Sequence, residues 1–453
     1  MTGVCFSCSD DSDSSSQDSL FIKAEPDAAI VFDYNDTKSQ TVTIESNGSW
    51  EVENLDDAPW LSLSKRAGED NTTLELTAEA NNTDAVREAR LRIFMSENTA
   101  KADTIHVVQN WDVDVFKEIK DKNFRTYCSK YDTNGDGKLS TEEADQVTWI
   151  DLTPEYDDAR KLVISLEGIK YFKNLVSLSC NMNLIEKIDL TGNPKIKEVL
   201  AVSNKLESID LSQCPELERL YVSDNPDLTR IDVTHNPKLK ELFAEYNGGI
   251  ASIDLTKCPE LAMLSMPGNK LTEIDLSSNT KLTDIGLSDN QLTSIDVTNK
   301  PELLRLNINL NKLSGNLDVT KNTKLIVLNV GDNAISSLDV TNCPDINSLY
   351  VTSNKLTSID VSKNPKLSSF HCSNNLFTKI DISACPEMVQ FLCTTQPNLE
   401  EVDISNCRPG TLVSFWCTKN PKLKTIWVWK DFAGVPTDQD WIIGEGIEFK
   451  EKQ

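Results

Sequence analysis

The sequence predicts a mainly β chain in three folded parts: a small β-sandwich, a short helical cap around an acidic loop, and a long solenoid. Three observations predict it. Short alternating apolar runs crowd the segment before residue 110, an oxygen-rich loop follows near residue 132, and one tripeptide pattern then recurs at a fixed spacing to residue 403. The boundaries read as a tether over 1–23, the sandwich over 24–111, the cap over 112–160, and the solenoid with its closing segment over 161–453.

In the sandwich region, seven runs alternate apolar with polar residues, among them Thr41-Val42-Thr43-Ile44, Trp60-Leu61-Ser62-Leu63 and Ala89-Arg90-Leu91-Arg92-Ile93. Turns such as Ser46-Asn47-Gly48 separate them, the pattern of an immunoglobulin-like sandwich. Ser49-Trp50, Pro59-Trp60-Leu61, Gly68, Asn81-Asn82, Arg87 to Ile93 and Val108-Gln109 together resemble the BACON domain, a module frequent in carbohydrate-active proteins of Bacteroidetes. That resemblance implies either a spacer or a sugar binder.

The cap opens with an amphipathic stretch, Phe116 to Tyr127, read as one helix. Asp132 to Glu143 then fits the twelve-residue EF-hand loop. Side-chain oxygens stand at Asp132, Asn134, Asp136 and Ser140, Lys138 is at the position that offers its carbonyl, Gly137 supplies the sharp turn, and Glu143 closes with a carboxylate. Ca²⁺ takes six to eight oxygens, which alternate residues of a tight loop can converge on one point. The expected cofactor is a single structural Ca²⁺, since no second loop of this type follows.

From about residue 160, Ile/Leu/Val-Asp-Leu/Val/Ile appears eleven times, with Asp at 189, 210, 232, 254, 275, 296, 318, 339, 360, 381 and 403. Gaps of 21 or 22 residues mark a solenoid. Each unit fits L-x-x-L-x-L-x-x-N, the leucine-rich repeat, as in Leu217-Glu-Arg-Leu220-Tyr-Val222-Ser-Asp-Asn225. Leu220 and Val222 face the core of a concave strand, and the second half of the unit returns along the convex side. Stacked Asn side chains satisfy main-chain groups at the bend, and the repeated Asp accept local backbone hydrogen bonds. Cys180, Cys372, Cys393 and Cys417 fall at one apolar position, and Cys214, Cys258, Cys343, Cys385 and Cys407 at the convex Asn position, as free buried thiols.

Repeats such as Leu356-Thr-Ser-Ile-Asp-Val-Ser-Lys-Asn-Pro-Lys-Leu-Ser-Ser-Phe-His-Cys372 resemble the internalin family, above all the internalin J branch whose short repeats carry stacked Cys. The resemblance implies a surface-displayed, adhesin-like or ligand-binding protein. The Pro after the loop Asn and the lack of a cell-wall sorting signal depart from that family. Anchoring is expected instead at Cys8. Phe6-Ser7-Cys8-Ser9-Asp10-Asp11 resembles the end of a lipoprotein signal, and the Ser- and Asp-rich stretch after it resembles the export tail of Bacteroidetes surface lipoproteins. The expected location is the outer-membrane surface, with the membrane reached only through lipid.

A formal charge of −26, from 71 acidic and 45 basic residues, excludes nucleic acid as the partner. No nucleophile elbow, phosphate loop or metalloprotease helix occurs, so no enzyme is expected. Period-two alternation places Ser179, Leu200, Tyr221, Phe243, Ser265, Gly286, Asn307, Asn329, Tyr350, His371, Leu392 and Trp416 outward on successive concave strands. Leu200, Tyr221 and Phe243, flanked by Arg219 and Glu241, form the first candidate contact for a protein or peptide. Tyr350, His371 and Trp416 form a second, whose aromatic and amide groups also suit a glycan.

Overall fold

The computed structural model describes residues 20–36, 38–81, 83, 85–155, 161–408 and 410–452. Cys8, the expected lipid site, lies outside them. The chain falls into two compact units, Met1–Val113 and Asp114–Gln453.

In the first unit, nine strands build two sheets. They are β1 (Ile22–Glu25), β2 (Ile30–Phe32), β3 (Gln40–Ser46), β4 (Ser49–Asn54), β5 (Leu61–Leu63), β6 (Ala67–Glu69), β7 (Thr72–Ala78), β8 (Arg87–Met95) and β9 (Asn98–Gln109). The orders are β1-β3-β7-β5 and β2-β9-β8-β4-β6. All seven expected runs form strands. The additional edge strands β1 and β6 are too short or too polar to show a period. Val42 and Ile44 are buried while Thr41, Thr43 and Glu45 are exposed, so period-two alternation sets the core face.

Trp50 is fully buried at the centre, and its Nε1 donates to the Asp70 carbonyl at 3.2 Å. A Cβ on Gly68 would stand 2.4 Å from the Trp50 ring, so only glycine fits there. A buried polar cluster ties the loops at the other end. Gln109 Nε2 donates to the Glu79 carbonyl at 3.0 Å and to the Asp33 carbonyl at 3.2 Å, and Arg87 Nε donates to Gln109 Oε1 at 2.8 Å. Asn81 Nδ2 reaches the carbonyls of Ala85 and Asn110 at 3.0 and 2.9 Å. The Arg87 guanidinium lies 4.6 Å over the Trp60 ring, which is itself buried.

The second unit begins with α1 (Val115–Glu118), α2 (Lys122–Cys128) and α3 (Thr141–Asp145). The single helix expected from Phe116 to Tyr127 is broken at Ile119–Asp121. Asp121 causes the break, because its Oδ1 accepts from the N–H groups of Asn123 and Phe124 and so starts a new helix. Its Oδ2 accepts from Ile164 N at 2.9 Å, which fixes the cap to the first coil. Val115, Ile119, Phe124 and Cys128 share one continuous core with the repeats.

A parallel sheet of fourteen strands, from Trp149–Asp151 to Asp440–Ile443, runs the length of the unit. This exceeds by two the twelve outward positions read from the sequence, because one strand hides in the cap segment and another in the closing segment. The return side holds short strands only in places, such as Lys187–Asp189 with Ser208–Asp210. Aromatic residues end the core: Phe391 stacks on Phe415 at 5.6 Å, and Trp441 meets Phe415 edge-on at 4.8 Å.

Two side-chain columns hold the coils together. In the first, Asn225 Nδ2 donates to Val222 O of its own turn and Ala201 O of the preceding coil, while Oδ1 accepts from Leu206 N. Asn204, Asn269, Asn290, Asn354 and Asn375 repeat that arrangement. The second column, on the return side, reads Asn193, Cys214, Asn236, Cys258, Asn279, Lys300, Asn322, Cys343, Asn364, Cys385 and Cys407. Up to Cys385, Asn alternates with Cys or Lys. Two residues beyond each member the charge alternates in step, and Lys238, Lys281, Lys324 and Lys366 pair with Glu216, Glu260, Glu302 and Asp345 at 2.5–2.6 Å. The structural repeat on this side is therefore a pair of coils, 42 to 44 residues long.

Every Asp of the tripeptide accepts from the N–H two residues on, as Asp232 does from Thr234 at 3.0 Å. Hydrogen bonds from the Thr or Ser hydroxyl and N–H hold Asp232, Asp254, Asp275, Asp318 and Asp339 below the usual carboxylate range. Asp403 differs from the other ten, which are exposed: it is buried and paired with Lys452 of the closing segment. The ten described cysteines are all free and buried.

Candidate functional site

The outward row of the long sheet follows the register expected from the sequence. Ser179, Leu200, Tyr221, Phe243, Ser265 and Gly286 are successive partners, and the row continues through Asn307, Asn329, Tyr350, His371, Leu392 and Trp416. Ser179 is the exception in exposure. Its hydroxyl lies 2.9 Å from that of Thr153, and it is buried.

Leu200, Tyr221 and Phe243 meet on adjacent strands while the inward residues Val199, Leu220 and Leu242 are fully buried. The Tyr221 and Phe243 rings lie 4.6 Å apart at 58°. The Tyr221 hydroxyl donates to Glu241, and burial together with this carboxylate pushes its pKa up to about 12. Arg219 pairs with Glu198 at 2.7 Å. Burial opposes ionisation of Glu198, yet Ser177 and Arg219 hold its carboxyl below the usual range. A polar frame thus fixes the aromatic pair, with the charges of Arg219 and Glu198 spent on each other.

Tyr350 and His371 make a second cluster, edge to face at 4.8 Å. Burial depresses the His371 pKa, so the ring is neutral at physiological pH. Trp416 does not touch this pair through its own strand neighbours. It lies beside Leu392 and Ile442, and its Nε1 donates to Asp440 at 2.7 Å. Trp416 and Ile442 are 37% and 45% exposed, which makes this the more open apolar surface of the two. Sequence reading missed Ile442 because the last coil is longer, placing it 26 residues after Trp416.

In the acidic loop, Gly135 and Gly137 have φ of 73° and 83°, the left-handed region that glycine favours. Asp132 accepts from the N–H groups of both at 2.8 and 3.0 Å, so the chain wraps around its carboxylate. Glu143 Oε1 accepts from Thr133 and Asn134, and Oε2 from Ser140. Burial opposes its ionisation, but these bonds bring its pKa down to about 2. The donors are hard oxygens of the type Ca²⁺ takes. With Glu143 turned onto the main chain, no three His, Cys, Asp or Glu side chains converge as a cage among the described residues.

Comparisons with known proteins agree with the architecture. Residues 48–110 match the BACON family, described as "Putative binding domain, N-terminal", and residues 269–289 match a leucine-rich-repeat family. The functional domain of InlJ from Listeria monocytogenes, which includes a cysteine ladder, is 23% identical. The match covers 70% of this chain and 81% of that one, with a TM-score of 0.53. The internalin inlF of the same species is 20% identical over 72% of this chain and 98% of that one, with a TM-score of 0.50. Comparison with curated proteins gives no significant match. The second unit has a leucine-rich-repeat fold. More particularly, its solenoid has the internalin-like fold, preceded by a BACON domain. Among the described residues, no helix is long and apolar enough to cross a membrane.

Proposed function

We propose that the chain is a surface-displayed binding protein that holds a protein or peptide ligand on the outer face of the long sheet. The principal contact is Leu200, Arg219, Tyr221, Glu241 and Phe243. One observation carries this reading. Three adjacent coils present large apolar side chains outward although the inward positions are already filled. Burying such a row against a partner is favourable, and aromatic side chains with Arg dominate interface energetics. Selecting a random peptide library on the full chain tests it. Recovered peptides should bind the Tyr221→Ala, Phe243→Ala double variant at least tenfold more weakly, and undiminished binding would refute the reading.

A second reading, glycan capture, draws on the exposed Trp416 indole with His371 and Tyr350 on the same sheet face. In the sandwich both Trp50 and Trp60 are packed inside, which favours a spacer role there. A glycan array on the full chain and on Trp416→Ala distinguishes the two readings.

The loop from Asp132 to Glu143 would hold Ca²⁺ through Asp132, Asn134, Asp136, the Lys138 carbonyl, Ser140 and Glu143. The ion would stiffen the cap against the first coil. Attachment to the outer membrane through lipid on Cys8 completes the proposal.

A further inference from the structure

Beside Phe243 the outward row drops from large side chains to Ser265 and then to Gly286, which has none. The step leaves a hollow of about 190 Å³. Phe243 and Met263 wall one side and the ion-paired Asp284 and Arg305 the other, while Asn307 closes the end.

Gly286 is the informative residue. Gly68 and Gly268 are forced, because a Cβ at each would stand 2.4 and 2.3 Å from the Trp50 and Tyr246 rings. A Cβ on Gly286 would meet only the Ser265 hydroxyl, at 3.1 Å, and then nothing closer than 3.8 Å. Its φ is not left-handed, so the backbone makes no demand for glycine. Glycine inside a strand weakens it and commonly marks a place where another molecule comes close. Here the missing side chain does one thing: it opens the hollow.

Charge indicates what enters. Arg219 is matched by Glu198, Arg305 by Asp284, and Lys240 by Glu218. Glu241, on the strand of Phe243, and Glu245, two residues past its end, accept hydrogen bonds only from the neutral hydroxyls of Tyr221 and Ser265. Neither carboxylate forms an ion pair among the described residues, and the Arg219 charge, already bonded to Glu198, reaches Glu241 only through space, in a chain of formal charge −26.

We infer that this hollow is a specificity pocket for one apolar or aromatic side chain of a protein ligand. Lys or Arg next to that side chain in the ligand pairs with Glu241 and Glu245 across the Phe243 ring. The cation lies against the aromatic face, which adds to its attraction, and the apolar side chain displaces water from a small, mostly apolar hollow, as at a binding hot spot. This rests on the binding reading above and narrows it to a basic, apolar-anchored segment.

The test selects a random dodecapeptide library displayed on phage against the full chain and against two variants, Gly286→Tyr and the pair Glu241→Gln, Glu245→Gln. Gly286→Tyr fills the hollow from the solvent side, and unchanged thermal melting confirms that the fold tolerates it. Peptides selected on the unmodified chain should carry an aromatic residue or Leu beside Lys or Arg. They should bind Gly286→Tyr at least tenfold more weakly, and the Gln pair should lose the basic preference while keeping the apolar one. Peptides that bind Gly286→Tyr undiminished while losing affinity for Tyr221→Ala, Phe243→Ala would overturn the pocket and leave the sheet face standing as the binding surface. Selection of acidic or wholly polar peptides would overturn the pocket as well. Recovery of no peptide at all would count against both.

Discussion

Asn225 bonds to the coil before it in both directions: its amide donates to the Ala201 carbonyl at 3.1 Å, and its oxygen accepts from Leu206 N at 3.0 Å. The side chain is fully buried. Asn225→Ala therefore strands buried main-chain groups, each costing about 1–3 kcal/mol when unsatisfied. The expected loss is on the order of 2–4 kcal/mol, read from urea unfolding of the full chain. Asn225→Asp should cost more still, because it loses the amide hydrogens and sets a buried carboxylate against the Ala201 and Val222 carbonyls.

Gly68→Ala should destabilise the sandwich. The added methyl would press on the fully buried Trp50 ring, and overpacking of this kind costs about 1–3 kcal/mol. A shifted Trp50 fluorescence transition on heating would report it. An unchanged transition would mean that the ring has room to move.

For the cap, a chelator should lower the melting temperature of the full chain relative to added Ca²⁺, and Asp132→Ala should abolish the difference. The Asp132 carboxylate already organises the loop by accepting from Gly135 and Gly137, so the variant should also melt lower without metal. Equal melting with and without chelator in the unmodified chain would remove calcium from the proposal.

Acid should loosen the solenoid through its Asp column. Asp254 and Asp318 are held below 3.8 by the hydrogen bonds of Thr256 and Thr320. A carboxyl whose folded pKa is depressed stabilises the fold fully above the unfolded value, and loses that contribution as pH falls through the folded one. Stability should thus be level above about pH 5 and fall below about pH 4. Asp254→Asn should reduce the steepness of that fall in a melting series from pH 6 to pH 3.

Lys300 occupies a return-side position that Cys or Asn fills elsewhere, and it is fully buried. Burial depresses its pKa, against the pull of Asp296 and Asp275. A base with a lowered folded pKa penalises the fold at neutral pH, and the penalty fades as pH rises toward the unfolded value of 10.5. Lys300→Cys should therefore raise stability at pH 7, on the order of 1 kcal/mol, with a smaller gain at pH 10. A loss at pH 7 would show that the ammonium is well served by its neighbours.

The solenoid was legible because its signals repeat. One register, found from Ile-Asp-Val and Leu-x-Leu spacing, places every outward residue from Leu200 to Trp416 correctly. The non-repeating parts were less legible. Asp121 ends one helix by capping the next, an effect that apolar periodicity does not reveal. Ile442 escaped because its coil is longer than the others. The hollow at Gly286 escaped for a different reason: reading for large side chains finds Tyr221 and Phe243 but passes over a residue whose importance lies in what it lacks. Likewise Gln109, Arg87 and Asn81 carry the BACON resemblance in sequence, yet in the structure they serve as an internal tie between loops.

The pairing of coils on the return side bears on how the stack finds its order. Identical coils could slide past one another by a single step and still bury their leucines. Here a one-step slip would bring Lys238 toward Lys281 and Glu216 toward Glu260, and would set Asn against Asn. Each exposed ion pair is worth only about 0–1 kcal/mol, but a shifted arrangement forfeits several together and gains repulsions in their place. The even–odd code thus penalises a slipped stack relative to the observed one. It also implies that the array lengthens cleanly by two coils at a time, while insertion of one would leave a fault line in the column.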